Sequence, residues 1–203
     1  MRAAVRHNSP FGETLEQLLG MDDRLAATTL HSRRAQSYAV ELAGAVDPDL
    51  LDDESVAYGF VLHDVGKVGI PDSILLKPAR LTVAEKQLMQ THTVIGEQIL
   101  DEVTILRGEG ITVVRSHHER WDGCGYPDGL AGRAISLGAR VFAVADALDA
   151  MTSHRPYRRA RRWSSAVREI KRGAGGQFDP DVVAVFSELA PDLRRMCAHL
   201  AAA

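Results

Sequence analysis

Histidine and aspartate carry the chemistry that this sequence offers. Of its 8 histidines, His31, His63, His92, His117 and His118 fall at or near the ends of helical patterns. Two of them stand in doublets, His63 with Asp64 and His117 with His118. Imidazole with carboxylate is ligand chemistry for Fe, Mn, Zn, Co or Ni. Adjacent residues on a helix point about 100° apart, so a doublet can bracket an ion lying between the two directions. A lone helix histidine is more often a hydrogen-bonded core or surface residue. Here an isolated histidine, an HD doublet, another histidine and an HH doublet are joined by Asp146, inside the apolar run FAVADALDAM. A carboxylate buried in such a helix is costly unless it is paired or ligates a metal, so the combination calls for a cation.

Helices must position these groups. A short amphipathic stretch over 11–19 ends at Gly20. Asp22 and Asp23 open a long helical segment through about Val46, stopped by the DPD that follows. Another helix runs from about Asp53 to His63 and ends in the glycine-broken loop HDVGKVGIP. The sequence TVAE is a capping-box pattern at Thr82 and Glu85, predicting a helix from there towards His92. Helical patterns continue over 93–101 and 109–118. Gly123, Gly125, Pro127, Gly129 and Gly132 then exclude helix and predict a shaped loop over 119–135. Helices return over 137–151 and 163–172. In FDPD, Asp179 is an N-cap and Pro180 the first helical residue of a last helix through Leu189. Period-two alternation is nearly absent, so the expected class is an all-α helical bundle.

The 203 residues suit one domain, expected over 22–203 after an extension or helix at 1–21. Cys124 and Cys197 stand alone without CxxC spacing, which fits a reducing cytoplasm. No apolar run approaches a membrane span of about 18 residues, and the N-terminal residues lack a signal-peptide hydrophobic region. A cytoplasmic protein is expected. The formal charge of -3 gives no reason to expect polymeric nucleic acid as a partner. Arginine and lysine gather over 155–172, and most of them read as a solvated face.

Three long segments carry a family resemblance: HDVGKVGIP (63–71), HHERWDGCGYP (117–127) and DALDAMTSHRPYR (146–158). With the downstream GGQFDP (175–180), they resemble the HD-GYP subgroup of the HD phosphohydrolase superfamily, over about Leu30 to Phe186. The resemblance implies an HD-type bundle with the glycine-rich GYP loop over a metal site. It implies a phosphodiesterase that cleaves cyclic di-GMP to pGpG, and on to GMP in a slower step, by a metal-bridged hydroxide. Two divalent ions, iron or manganese, are implied: Asp64 bridges them, one completed by His31, His63 and Asp146, the other by His92, His117 and His118. Lys67 corresponds to the family lysine that contacts the scissile phosphate, making Asp64 and Lys67 the implied catalytic pair. Gly125, Tyr126 and Pro127 form the GYP segment, where tyrosine can stack on guanine or hydrogen-bond a phosphate. Arg155 and Arg158 match positions that meet the dinucleotide's phosphates or bases.

One departure bears on metal number. Some members carry a glutamate one turn before the first histidine, where this chain has Ala27, so two metals are expected rather than three. Two other readings stand beside the leading one: an HD-type phosphohydrolase of another nucleotide, and a catalytically weak module that binds cyclic di-GMP and signals through protein contacts. A homodimer and a fused or associated sensor domain are both compatible with the sequence.

Overall fold

The computed structural model describes residues 26–154 and 159–200. Nine α-helices are among the described residues, with no β-strand: α1 (Ala26–Val46), α2 (Glu54–Leu62), α3 (Asp72–Leu75), α4 (Val83–Gln90), α5 (His92–Leu100), α6 (Glu109–Ser116), α7 (Leu137–Thr152), α8 (Trp163–Arg172) and α9 (Pro180–Leu200). This is the expected all-α class. The extension at 1–21 and the opening residues Asp22 and Asp23 lie outside the described residues. None of the described helices is long and apolar enough to cross a membrane.

α1 packs along α7 and crosses α2 and α9, while α2 lies beside α6. The main core fills the space between them with Tyr38, Leu42, Val56, Phe60, Phe142, Leu148 and Phe186, all essentially inaccessible. Removing side chains of this size from water is the main stabilising contribution, roughly 1.5–3 kcal/mol for each large apolar side chain. A smaller cluster, Tyr58, Val61, Leu62, Leu100, Leu106 and Val114, seals the other face of α2.

Polar groups set the alignment of α2 and α6. Asp53 Oδ1 accepts the N–H of Ser55 at 2.9 Å, capping α2, and Asp53 Oδ2 accepts the N–H of Glu109 at 3.1 Å, capping α6. Ser55 Oγ accepts the N–H of Gly110 at 2.9 Å. One carboxylate therefore fixes the start of both helices. They reach the opposite end of the bundle together, with His63 and His117 as their C-caps.

Three elements differ from the sequence expectation. The HH doublet lies just beyond a helix end rather than within the helix, since α6 stops at Ser116, whereas the HD doublet follows the end of α2 at Leu62 as expected. The segment after HDVGKVGIP contains the short helix α3, which no periodicity marked. The last helix runs past Leu189 to Leu200 with Pro191 inside it. Proline removes one N–H and crowds one carbonyl, but Ala190 and Leu193 on either side are buried in the main core, which holds the helix together. The Thr82 and Glu85 capping box is formed as expected, with both reciprocal hydrogen bonds present.

Candidate metal centre

Helix ends build the site because the last four carbonyls of a helix have no partner within it. His63 Nδ1 lies 2.9 Å from the carbonyl oxygen of Phe60, His92 Nδ1 2.8 Å from that of Met89, and His117 Nδ1 2.8 Å from that of Val114. A carbonyl only accepts, so each Nδ1 carries the proton and each Nε2 presents its lone pair inwards. Three histidines thus share one device, a ring anchored to the carbonyl three residues earlier in the closing turn of α2, α4 or α6. The negative ends of these helices converge there, which favours a cation.

The resulting Nε2 atoms meet at Asp64. Its Oδ2 is 3.3 Å from His63 Nε2 and its Oδ1 is 3.4 Å from His92 Nε2, while His92 and His117 place their Nε2 atoms 3.4 Å apart. His118 packs on His117 with ring centroids 4.1 Å apart. On the other side, His31 Nε2 is 3.1 Å from Asp146 Oδ1. Two ligand groups result, each with donor atoms within 4.8 Å of one another: Asp64 with His92, His117 and His118, and His31 with His63 and Asp146. Two rings of the separate groups, His63 and His117, touch with centroids 5.1 Å apart.

The fit to metal ions can be judged from the groups themselves. His63 Nε2 is buried without a hydrogen-bond partner, an arrangement that costs free energy unless something binds there. His92, His117 and His118 are neutral donors: burial pushes their pKa values down, His118 to about 4, and neighbouring histidines push the same way. Burial would raise the carboxyl of Asp64, but the ammonium of Lys67 and the imidazoles of His63 and His92 beside it outweigh this and hold it well below the usual range. Asp146 is likewise held low against burial by His31. Neutral imidazoles and ionised carboxylates are the forms that ligate.

Lys67 lies in the 3₁₀ turn Val65–Gly69 with Nζ 2.5 Å from Asp64 Oδ2. That turn approaches α5 so closely that a Cβ on Gly66 would stand 1.9 Å from the carbonyl oxygen of His92. Only glycine allows Asp64 and His92 to meet.

The GYP loop closes over the group of Asp64, His92, His117 and His118. The ring of Tyr126 lies 4.8 Å from that of His118 at an interplanar angle of 31°, and its N–H donates to the His118 carbonyl at 3.3 Å. Burial, aided by Asp64 and Asp146, pushes its phenol pKa up, so it stays a hydrogen-bond donor. A Cβ on Gly125 would sit 2.4 Å from the backbone nitrogen of Arg120, so the loop folds back on itself only with glycine there. Pro127 follows Tyr126 through a cis peptide bond. Arg155 and Arg158 lie outside the described residues.

Three findings add to the sequence expectation or correct it. Asp146 is not the most buried carboxylate of its helix: its side chain is 21% exposed and opens onto the site, whereas Asp149, one turn on, is 1% exposed. Asp149 is held by Arg34 Nε at 2.7 Å and by His31 Nδ1 at 2.6 Å. The i, i+3 spacing of Asp146 and Asp149 in DALD was the signal available for it. Glu119 was also missed. Buried directly after the HH doublet, it accepts the N–H groups of Asp128 at 2.7 Å, Gly129 at 3.0 Å and Leu130 at 3.1 Å, and so anchors the GYP loop. From outside, Arg115 grips Asp128 through two 2.8 Å bonds and also pairs with Glu97 of α5.

The HD domain family profile matches residues 13–182. The chain belongs to the HD domain family. This HD domain is 44% identical over 140 residues to a cyclic di-GMP phosphodiesterase of Thermotoga maritima, an alignment covering 68% of the chain and 38% of that relative. It is 34% identical over 169 residues to 3'3'-cGAMP-specific phosphodiesterase 2 of Vibrio cholerae, covering 83% of the chain and 32% of that relative. The chain therefore spans well under half the length of these relatives. Among solved structures, a cyclic GMP-AMP specific phosphodiesterase of V. cholerae matches with a TM-score of 0.62 at 19% identity, covering 89% of this chain and 49% of that one. That structure shares the HD domain's fold.

Proposed function

We propose that this HD domain is a metal-dependent phosphodiesterase acting on a cyclic dinucleotide, with cyclic di-GMP as substrate and pGpG as first product. The observation that carries the reading is the pair of adjacent ligand groups, seven histidines and aspartates whose donor atoms could hold metal ions, with Asp64 of one group 3.3 Å from His63 of the other. Further support comes from relatives named for cyclic di-GMP hydrolysis and from the GYP loop set against one ligand group. His31, His63 and Asp146 would hold one ion and His92, His117 and His118 the other, with Asp64 shared; iron or manganese suits this imidazole and carboxylate set. When bound, two such ions supply Lewis acidity that lowers the pKa of water and offsets phosphoryl charge.

The chain's own residues do the rest. Asp64 is fixed by its neighbours before substrate arrives, and Lys67 beside it offers an ammonium to a phosphodiester oxygen. Tyr126 presents an aromatic face and a protonated hydroxyl, suited to a base or a phosphate. The half-open wall formed by Asp146 leaves the ligand groups accessible. The reading is tested by incubating anaerobically prepared, manganese-loaded protein with cyclic di-GMP and resolving pGpG and GMP by chromatography. A parallel reaction with 3'3'-cGAMP addresses the second substrate, which the Vibrio relative brings into question. Absence of metal-dependent cleavage of either would overturn the proposal.

A further inference from the structure

The four histidines with a hydrogen-bonded far nitrogen are not supported alike. His63, His92 and His117 rest on backbone carbonyls, which are neutral. His31 rests on a carboxylate, with Nδ1 2.6 Å from Asp149 Oδ2. Asp149 is itself locked in place. Arg34 Nε donates to Oδ1 at 2.7 Å and Arg34 Nη2 to Oδ2 at 3.3 Å, and the hydroxyl of Ser153 donates to Oδ1 at 3.0 Å. Arg34 Nη2 also reaches Ser153 Oγ at 2.9 Å, closing the ring of contacts. The carboxylate is 1% exposed, so water does not compete for His31.

Resting on the reading of the site as a two-metal centre, we propose that Asp149 is a positioning residue that makes the His31, His63 and Asp146 half the tighter one, so that the centre fills in order, this half before the His92, His117 and His118 half. Two effects act in the same direction. A carboxylate behind a ligating imidazole fixes its ring orientation and raises its basicity, and removing such a partner typically weakens metal binding about 10–100-fold. Charge adds to this: once the ion has displaced the proton that Asp146 and Asp149 hold on His31, the first half sets two carboxylates against the one cation Arg34, whereas the second offers a dication three neutral imidazoles. Once it is seated, its charge opposes the second ion a few ångströms away, which separates the two binding steps further.

The test is a manganese titration of metal-free protein under anaerobic conditions, followed by calorimetry, with cobalt(II) absorption as an independent view of the ligand field. Wild type is expected to bind two ions in two resolved steps. Asp149→Asn keeps an acceptor oxygen for His31 Nδ1 but removes the charge, and it should weaken the first step about 10–100-fold while leaving the second within a factor of about three. His92→Ala should remove the second step and spare the first. Ser153→Ala, which takes away one contact to Asp149 at the end of α7, should weaken the first step by a smaller factor; it carries the test if Asp149→Asn does not fold by circular dichroism. Unresolved equal steps in wild type, an unchanged first step in both Asp149→Asn and Ser153→Ala, or loss of the tighter step in His92→Ala would each overturn the inference. Failure of wild type to bind any divalent ion would instead overturn the two-metal reading beneath it.

Discussion

Asp53 Oδ2 accepts the backbone N–H of Glu109, 56 residues further along the chain, at 3.1 Å. Because Asp53 Oδ1 caps α2 at the same time, one exposed side chain holds the starts of the two helices whose far ends carry His63 and His117. Helix caps contribute about 0.5–2 kcal/mol each. Asp53→Ala should therefore cost about 1–3 kcal/mol in the denaturant midpoint, and Asp53→Asn distinctly less. The carboxyl also gives the cap a pH dependence. Burial raises its pKa, but the hydrogen bonds from Ser55 and Glu109 together outweigh this and hold it below the usual aspartate value. A depressed folded-state pKa means a contribution that is fully present above the unfolded value and lost as the pH falls through the folded one. Wild type should thus lose part of its advantage over Asp53→Asn below about pH 4. A constant difference between the two from pH 7 to pH 3 would show that the charge plays no part.

Glu119 invites a different measurement, because it holds a loop rather than a helix. Replacing it with alanine strands three backbone N–H groups that now share one carboxylate. Bonds to a charged acceptor are worth roughly 1.5–3 kcal/mol, with some recovery as the freed groups reach water. The expected result is a loss of about 2–3 kcal/mol, with amide exchange in 126–130 accelerated more than in α2 or α6. Metal stoichiometry should be retained, since Glu119 belongs to neither ligand group. Unchanged exchange in the loop would mean that Arg115 and its pairing with Asp128 suffice to hold it.

The sequence disclosed the helices and the clustered histidines and carboxylates because both rest on local patterns. Thr82 and Asp179 read as caps from their neighbours alone, and both accept the expected backbone bonds, from Glu85 and Asp181. The ligand residues stood out because imidazoles and carboxylates are scarce inside apolar runs. Other features depend on separations that no window spans. The closeness of Gly66 to His92 and the dual role of Asp53 were of this kind, since neither partner marks the other in sequence. Asp149 was overlooked for another reason: two carboxylates a turn apart in DALD look equivalent, and only packing against Arg34 and His31 separates the buried one from the one facing the site. The last helix outran the expected end at Leu189 because Ala190 and Leu193 are buried in the main core, which no local pattern shows.

Asp64 and Lys67 are expected to part company when changed singly. Asp64→Ala removes the carboxylate of one ligand group that also lies 3.3 Å from His63 of the other, so tight metal retention and hydrolysis should be lost together, with turnover falling by at least about 1,000-fold, the scale of a lost electrostatic anchor at the reacting centre. Lys67→Ala should leave the metal content nearly unchanged and lower turnover about 100-fold. Metal per chain by plasma mass spectrometry, set beside cleavage of cyclic di-GMP, separates the two. An Asp64→Ala protein with both metals, or a Lys67→Ala protein of full activity, would contradict the assigned roles.

The expected number of metals turns on one residue. His31 lies on α1, and the position four residues earlier on that helix is Ala27. Residues four apart on a helix share a face, so a carboxylate at this spacing from a ligating histidine can join its ion, whereas alanine offers no lone pair. Thr28, three residues before His31, carries a neutral hydroxyl, a poor replacement for a carboxylate as a ligand to a divalent ion. Two metals per chain are therefore expected in protein kept anaerobic and reconstituted with iron or manganese. In Ala27→Glu a third ion should appear, bound more weakly than the first two because it joins an already positive cluster. Plasma mass spectrometry gives the stoichiometry, and anomalous scattering from crystals gives the positions. Three fully occupied positions in wild type would show that water or Thr28 substitutes for the missing carboxylate. A third ion confined to Ala27→Glu would establish that the residue one turn before His31 sets the nuclearity of the centre.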